Sequence, residues 1–447
     1  MRLRSCFALL ATACAGGGGE SPKLTVAIDT PAASTGSVTA TSGGTSLFTC
    51  TTGSCTATVA DGAAVTLTAS PADASSRFAT WSGGCDGNSP RCTFVVHQAV
   101  KVTARFRPNA NILFTTATPL NMPFGATADA AQAAANGHCN SSAAAGNLPG
   151  HYVAWLSTST TNAIEKLGSA NGWVRTDGRP FANAQADLAA GRIFYPPRVS
   201  ENGSEVGIQL VAATGTGREG TVLAGRTCND WTSTAGYAGA GWPSGGSQAW
   251  TNAASVSPCS GPFVLYCLET SRSVPVVAAA TGRTAFVSTG LFAPGPGRNR
   301  ASADAMCQSE ALAAGLPGPS GNYLALLALD GERPLARFSI DPGLPTWVRP
   351  DGVQLVASAS QIVNSTLLAP IDVTAERTYL TYVTGGITWT GSLGPNLPGD
   401  LASTCNNWGS SEGSGHGGDI ERTFLWFNEF QSSIDCHGAA RVFCFQQ

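Results

Sequence analysis

The chain has 447 residues, a length typical of about three domains, and carries 25 Lys and Arg against 28 Asp and Glu. Only 12% of the residues are charged and the formal net charge is −3, so the composition excludes the strongly basic surface of nucleic-acid-binding proteins. Apolar residues make up 43%, Gly and Pro are frequent, and helical periodicity is sparse. We therefore expect a mostly β protein with short helices and no nucleic-acid partner.

Fourteen cysteines are the most informative feature of the composition. No two of them have the Cys-x-x-Cys spacing of common metal sites, and only five histidines are present. A disulfide framework formed in an oxidising compartment is the better interpretation. The sequence predicts no metal and no cofactor.

The N-terminus has the pattern of an export signal. Arg2 and Arg4 precede a short apolar run at residues 6–13, which is too short to span a bilayer. No other stretch of the sequence could span a membrane. We expect residues 1–13 to be a signal peptide.

Residues 11–14, Ala-Thr-Ala-Cys, resemble the lipobox of bacterial lipoproteins. The resemblance implies that Cys14 carries lipid, that 14–22 is a Gly-rich tether, and that the chain is anchored to the cell envelope, at the outer membrane or cell surface. The alternative is simple Ala-x-Ala cleavage and full secretion. Removing Cys6 with the signal and Cys14 to lipid leaves 14 − 2 = 12 cysteines, as six disulfides require.

The sequence of residues 23–108 predicts a small all-β module, in which strands are separated by turns of Gly, Ser, Thr and Pro. Two short-range pairs, Cys50 with Cys55 and Cys85 with Cys92, each have a spacing that could close a hairpin. This order of strands and cysteines resembles the divergent repeat first described in internalin-type adhesins. In such a module Trp81 and Phe78 would be core residues.

After residue 109 the chain contains an internal repeat. Cysteine spacings are identical in two stretches, 31 residues followed by 8, and several short motifs recur at matching offsets. The paired landmarks are Cys139 and Cys307, Trp173-Val-Arg175 and Trp347-Val-Arg349, Asp177-Gly178 and Asp351-Gly352, Thr214-Gly215 and Thr390-Gly391, and Cys228-Asn-Asp-Trp231 and Cys405-Asn-Asn-Trp408. We assign the first copy to 111–269, the second to 283–447, and a linker to 270–282.

Four cysteines in each copy allow three connectivities. If 258–268 is partly extended, Cys259 lies too far from Cys267 to bridge, because bridged Cα atoms are about 6 Å apart. The Gly-rich chain between Cys228 and Cys259 favours an inner bridge, which leaves Cys139 with Cys267. The corresponding pairs in the second copy are Cys405 with Cys436 and Cys307 with Cys444.

This nested pattern resembles the C-type-lectin-like fold, and most closely its endostatin-like branch. Residues 310–318, Glu-Ala-Leu-Ala-Ala-Gly-Leu-Pro-Gly, match the helix-and-turn motif after the first cysteine, and residues 405–408 match a Cys-x-x-Trp motif. The resemblance implies two disulfide-stabilised α+β domains of a bacterial family of unknown function. The zinc-binding histidines of endostatin and the calcium signature of sugar-binding lectins have no counterpart here.

Two strings look catalytic. Residues 215–220 match the dinucleotide motif Gly-x-Gly-x-x-Gly, and 409–413 match Gly-x-Ser-x-Gly with His416 and Asp419 close by. Neither is followed by a helical pattern, and neither recurs in the sister copy. The sequence therefore predicts a non-enzymatic protein, with a hydrolase as the least favoured reading.

The two copies differ most between their inner cysteines, 228–259 and 405–436, the region where proteins of this fold usually contact ligands. Trp242 and Trp250 in the first copy, and Trp426 and Phe427 in the second, are the candidate ligand-binding residues. We expect adhesion to, or binding of, a matrix component, glycan or protein. The alternative is a structural envelope protein without a dedicated ligand.

Overall fold

The computed structural model describes residues 21–30, 34–73, 76–253, 256–319, 321–364, 366–381, 385–428 and 433–447. The predicted signal peptide and Cys14 lie outside these ranges. The chain divides into two compact units, the first containing Thr35–Phe106 and the preceding strand, the second Arg107–Gln447. No helix in the described part of the chain is both long enough and apolar enough to cross a membrane.

The first unit is built from eight strands: β1 Lys23–Asp29, β2 Gly36–Ser42, β3 Thr45–Cys50, β4 Ser54–Thr58, β5 Ala63–Pro71, β6 Ser76–Gly83, β7 Arg91–Val96 and β8 Val100–Pro108. They form two four-stranded sheets with the orders β4-β1-β8-β6 and β3-β2-β5-β7. Apolar and polar residues alternate along these strands, so each sheet has one buried face. The unit is all-β, as the sequence predicts.

One hydrophobic core joins the two sheets of the first unit. Trp81 is 2% exposed and its ring centroid lies 4.9 Å from that of Phe78, so both residues pack in the core. The indole Nε1 of Trp81 donates to the carbonyl of Ser89 at 2.8 Å, which satisfies the buried polar group. Disulfides join Cys50 to Cys55 and Cys85 to Cys92.

The described residues of the first copy form eight strands, three helical segments and one 3₁₀ helix. They are β9 Asn111–Thr115, α1 Ala128–Ala145, β10 Tyr152–Ala154, the 3₁₀ helix Ile164–Leu167, β11 Trp173–Arg175, β12 Pro180–Ala182, α2 Gln185–Ala189, β13 Ala212–Ala213, α3 Cys228–Trp231, β14 Tyr237–Gly241, β15 Val256–Pro258 and β16 Tyr266–Glu269.

The second copy has a similar order of elements. Its elements are β17 Arg283–Val287, α4 Arg300–Ala313, β18 Tyr323–Ala325, the 3₁₀ helices Pro334–Arg337 and Ala359–Asn364, β19 Trp347–Val348, β20 Ile387–Trp389, β21 Ser414–Asp419, β22 Ser433–Asp435 and β23 Arg441–Gln446.

The central sheets of the two copies share four strands, and in the second copy the sheet continues through β20, β21 and β22. In the first, β9 pairs antiparallel with β16 and parallel with β11, and β10 adds to β16. In the second, β17 pairs antiparallel with β23 and parallel with β19, and β18 adds to β23. The first strand of each copy therefore lies beside its last strand, which closes the copy on itself.

The long helix of each copy is fastened to the last strand by a disulfide. Thr127 caps α1, accepting from the amide of Ala130, and the buried face of α1 carries Cys139. Cys139 bonds to Cys267 on β16, and Cys307 on α4 bonds to Cys444 on β23. The inner pairs are Cys228 with Cys259 and Cys405 with Cys436. These are the pairs expected from the sequence.

Candidate functional site

The repeated Cys-Asn-Asp/Asn-Trp motif forms a single left-handed helical turn. In α3 the φ angles are 50°, 52°, 55° and 66° for Cys228, Asn229, Asp230 and Trp231. Residues 405–408 of the second copy have φ of 48°, 52°, 55° and 70°. Four consecutive non-glycine residues in this region are costly, since each left-handed residue costs roughly 1–2 kcal/mol. The occurrence of the same strained turn in both copies indicates that the surrounding contacts impose it.

Three contacts hold the turn in the first copy. Cys228 is bonded to Cys259, and the indole of Trp231 donates from Nε1 to the carbonyl of Ser157 at 2.8 Å. The hydroxyl of Thr227 accepts from the amide of Asp230 at 3.2 Å. The matching bonds in the second copy run from Trp408 to Ala328 and from Asn407 to Thr404.

The recurring glycine of the Thr-Gly motif provides room for the tryptophan. Gly215 has φ +54°, and a Cβ there would lie 2.8 Å from the Trp231 ring. Gly391 has φ +79° and the same 2.8 Å distance to the Trp408 ring. This shared motif therefore serves the packing of the turn, and residues 215–220 form a loop in which the amide of Gly217 donates to the carbonyl of Thr221.

The third residue of each turn points its side chain at the loop after β10 or β18. Asp230 accepts from the amide and hydroxyl of Ser159, both at 2.6 Å. In the second copy Asn407 accepts from the amide of Asp330 at 2.8 Å. The strained turn thus fixes one polar side chain at an equivalent place in each copy.

A polar cleft of about 380 Å³ opens beside Asn407 in the second copy. Its lining residues are Asn299, Arg300, Ala301, Asp304, Leu329, Arg337 and Asn407. Ligand pockets in proteins commonly have volumes of about 300–1,000 Å³. This cleft is therefore large enough for a small polar molecule or for part of a larger one.

Two bidentate ion pairs build the walls of this cleft. Arg300 donates to both carboxylate oxygens of Glu332, at 2.9 and 3.2 Å. Arg337 donates to both oxygens of Asp304, at 2.5 and 3.0 Å. Paired forks of this kind hold both partners in fixed orientation. The cleft therefore presents fixed donors and acceptors of both charge signs.

The first copy has different side chains at the equivalent positions. Asn136 replaces Asp304, and both side chains accept from the amide of the last residue of the next strand, Ala154 or Ala325. Lys166 donates to the carbonyl of Ala154, just as Arg337 in the second copy donates to the carbonyl of Ala325. In the described part of the chain no carboxylate lies within ion-pair distance of Lys166. The chemistry of this position therefore differs between the copies.

Lys166 is a buried ammonium held by carbonyls. Its Nζ donates to the carbonyls of Ala154 and Leu156, each at 2.6 Å. Burial lowers the pKa of Lys166 to about 7, because the low-dielectric surroundings penalise the charged form.

Three of the four candidate ligand residues of the two long loops lie in the cores of their own copies. Trp250 and Trp426 are 0% exposed, and Phe427 is 1% exposed. Trp250 packs on Trp155 with ring centroids 5.1 Å apart, and Trp426 packs on Phe443 at 5.2 Å. The expectation that these three side chains form a ligand surface is corrected: their large apolar areas are buried in the two copies' own cores.

Trp242 is partly buried and takes part in the contact between the copies. The guanidinium carbon of Arg422 lies 3.8 Å from the centroid of its ring, a cation–π contact. Arg422 also donates to Asp419 at 3.1 Å. The fourth candidate residue is therefore covered by the sister copy. We call the contact between the two copies, which includes these loops, the seam.

Buried carboxylates of the second copy accept hydrogen bonds from the first copy across the seam. Asp372 accepts from the hydroxyl of Ser247 at 2.7 Å and from its amide at 3.1 Å. Glu421 accepts from the amides of Gln248 and Ala249, at 2.6 and 3.0 Å. Asp372 is fully buried and Glu421 is 3% exposed.

Equivalent positions of the two copies carry opposite charges at the seam. Arg198 of the first copy occupies the place of Asp372, two residues after the proline whose carbonyl accepts from the buried arginine of each copy. Arg198 donates to the carbonyl of Leu367 in the second copy at 2.7 Å. At this pair of equivalent positions the seam is reciprocal, because each copy contributes a buried charged residue that bonds to the other copy.

The Trp-Val-Arg-x-Asp-Gly motif is also part of the seam in the second copy. Arg349 is 1% exposed and donates to Asp351 and Asp372, with a further bond to the carbonyl of Ile193 in the first copy. Burial raises the pKa of Asp372 to about 6, although Arg349 and Ser247 act in the opposite direction. Burial also disfavours the charged form of Asp351, but Arg349 and Tyr379 outweigh it and hold that pKa below its usual value.

The residues of the catalytic-looking string are not brought together. His416 and Asp419 lie on β21, where positions three residues apart face opposite sides of the strand. Asp419 is buried and bonds to Arg422 and to the amide of Glu421. Ser411 lies in a bend before β21. Burial raises the pKa of Asp419.

Comparison with known proteins gives one family match. Residues 27–110 match the family model of the divergent InlB B-repeat domain. This result confirms the predicted identity of the N-terminal module and falls on the all-β unit. No curated protein matches the chain.

Proposed function

We propose that this chain is a non-enzymatic binding protein of the cell surface. Its two copies are endostatin-like domains of the C-type-lectin-like fold and together form the binding head. The repeat module serves as a spacer, and Cys14 carries the lipid anchor. The ligand is a glycan, a matrix component or a protein.

The topology of the copies supports the fold assignment. In each copy the first and last strands pair, the long helix is bridged to the last strand, and a second bridge closes the Gly-rich loop region. This nested arrangement is the one that the resemblance implies. Six disulfides also support an exported chain, because such bridges persist in oxidising compartments.

The polar cleft of the second copy is the observation that carries the binding proposal. Arg300 and Arg337 are each held by a carboxylate, so their remaining donors are oriented before a ligand arrives. Asn407 is fixed by the strained turn at the edge of the same cleft. Oriented groups lose little conformational freedom on binding, which favours affinity.

We therefore place the proposed ligand site in the cleft and not on the long loops. The loops bind each other at the seam, while the cleft lies beside the N-terminus of α4 and the turn at 405–408. The cleft has groups of both charge signs. A neutral ligand with hydrogen-bond donors and acceptors therefore fits it better than a strongly charged ligand does.

The test is an array of glycans and matrix proteins probed with the purified mature chain, repeated with calcium and with a chelator. Arg300→Gln introduces the residue that the first copy has at this position, Gln132, and should weaken binding about tenfold by removing one charged donor. The matched control is Gln132→Ala, which should leave binding unchanged. Absence of binding under every condition, or equal binding by both variants, would contradict the proposal.

A structural envelope protein is the second candidate, and the seam favours it. Both long loops are occupied by contact between the copies, as in a rigid body that requires no ligand. This alternative predicts an empty array together with increased detergent sensitivity of cells that lack the protein. Binding that is lost in Arg300→Gln would contradict it.

A further inference from the structure

The segment between the two copies lies outside the β-strands of both copies, but it has the burial pattern of an extended chain with one open edge. From Ser271 to Gly282 the side chains alternate without interruption between exposed and partly buried, which is the period of a β-strand. The segment therefore has two edges that differ in what their backbone amides contact.

Four even-numbered residues, 272, 274, 276 and 280, use their amides to hold the copies. The amide of Arg272 donates to the side chain of Asn111, and that of Val274 donates to the carbonyl of Asn171. Those of Val276 and Ala280 donate to the side chain of Asn183 at 3.1 Å and to the carbonyl of Gly352 at 2.9 Å. This edge is the paired one.

The amides of the odd-numbered residues point to the opposite edge of the segment. The amides of Val277, Ala279 and Thr281 have no hydrogen-bond partner among the described residues. Pro275, which has no amide hydrogen, lies on the same edge, and proline in sheets is confined to such unpaired edges. The side chain of Val277 is 72% exposed. An apolar open edge of this kind is a template for another strand, and proteins usually protect it.

A groove of about 560 Å³ is lined in part by residues 278–282 of this segment. Besides Ala278–Gly282 its walls include the apolar side chains of Leu316, Pro317 and Val348. Arg377 is also in the lining; it is exposed, has φ +66°, and makes no ion pair within the described chain. The groove therefore offers apolar surface and one unneutralised cation next to free backbone donors.

We propose that an extended segment of a partner protein, apolar and bearing a carboxylate, docks here by adding a strand to residues 277–281. Backbone hydrogen bonds to the three odd-numbered residues supply affinity, as in other cases of strand addition. Alternate side chains of the added strand enter the groove, and its carboxylate pairs with Arg377. This site is separate from the cleft beside Asn407 and does not depend on the ligand proposed there.

The test uses the full mature chain and a fluorescein-labelled eight-residue peptide of alternating Val and Thr with a C-terminal Asp. Fluorescence anisotropy should show saturable binding, and hydrogen exchange should slow at the amides of Val277, Ala279 and Thr281. The same peptide with Lys in place of Asp and an amidated terminus should bind at least about tenfold more weakly, since one charge pair is lost.

Two variants locate the interaction. Ala279→Pro removes an amide hydrogen that is unused in the free protein and should reduce binding about tenfold or more. Ser273→Pro places the same residue on the same edge away from the groove and should bind normally. Arg377→Asn removes the charge with a residue that tolerates positive φ, and should abolish the preference for Asp over Lys.

The outcomes are decisive in both directions. Protection at 277–281 that is lost in Ala279→Pro, but retained in Ser273→Pro and in Arg300→Gln, supports the proposal. Absence of protection at millimolar peptide, or equal binding by Ala279→Pro, overturns it. Concentration-dependent dimerisation in analytical ultracentrifugation that Ala279→Pro removes would assign the edge to a second copy of this chain and also overturns it.

Discussion

Lys166 and its counterpart in the second copy, Arg337, have different partners. Its ammonium has two carbonyl acceptors, whereas Arg337 in the second copy has a carboxylate. A cation without a counter-ion is stabilised only by dipoles, so burial disfavours its charged form. Burial lowers the pKa of Lys166 to about 7, and Asn136, which occupies the place of Asp304, supplies no opposing charge.

Stability should depend on pH through Lys166. Between about pH 7 and 10.5 the unfolded chain holds the proton and the folded chain does not, so the free energy of unfolding rises with pH in this window. Differential scanning calorimetry from pH 6 to 10 should show the melting temperature of the wild type rising relative to that of Lys166→Met. Parallel curves for the two proteins would contradict this prediction.

Position 215 requires glycine for two reasons, its positive φ and its close contact with the Trp231 ring. Gly215→Ala would place Cβ 2.8 Å from the Trp231 ring at φ +54°, so we expect destabilisation of about 2–4 kcal/mol. Gly225→Ala is the control, because φ there is +71° with no atom within 4 Å of the added Cβ. It should cost only about 1 kcal/mol by urea denaturation. Equal losses would show that the ring contact has no effect.

At the scale of elements, the left-handed turn is the feature with the largest local cost. Asparagine tolerates positive φ better than most residues, which explains the residue type at 406 and 407. Strained segments persist when neighbouring contacts determine them, and here a disulfide and a buried tryptophan do so.

Substitutions at Asn406 should report this strain directly. The side chain is exposed, so Asn406→Ala should destabilise the protein by about 1 kcal/mol through backbone conformation alone. Asn406→Gly should be nearly neutral, since glycine reaches positive φ freely. Both values are measured by urea denaturation with the disulfides intact. A loss for Gly equal to that for Ala would show that the turn is not strained.

The sequence predicts that the two copies are a repeat, but it does not predict the left-handed conformation of the turn. Residues 228–231 and 405–408 stand out because their letters recur. Their left-handed conformation has no sequence signature except the paired Asn and Asp residues, because it is imposed by the bridge and by the Trp231 contact with Gly215. Local propensity was overruled there by tertiary contacts.

At the scale of the whole molecule, the seam makes the second unit one body. Carboxylates that are fully buried, such as Asp372, depend on donors from the other copy. A buried charge left without its donors is strongly destabilising. Neither copy is therefore independent of the other.

The two copies should unfold together. Tryptophan fluorescence and calorimetry of the second unit should show a single transition for wild type. Ser247→Ala removes the hydroxyl that donates to Asp372 across the seam and should destabilise the unit by about 1.5–3 kcal/mol, with the transitions of the copies separating.

The control is Ser159→Ala, which removes the same kind of bond, from a serine hydroxyl to Asp230, within the first copy and in an exposed place. It should cost less than 1 kcal/mol and keep the single transition. Two transitions in the wild type, or equal effects of the two variants, would contradict the role assigned to the seam.

The sequence by itself determined the repeat, the all-β character of the N-terminal module and the cysteine pairs, because coincident spacings and alternating strands are local or pairwise properties. It did not determine what the long loops contact. Trp250 and Trp426 read as loop aromatics, yet each is buried by residues more than ten positions away. Only the tertiary structure decided that the loops form the seam, that Lys166 lacks a counter-ion, and that the segment at 277–281 keeps an open edge, since these depend on which distant groups meet in space.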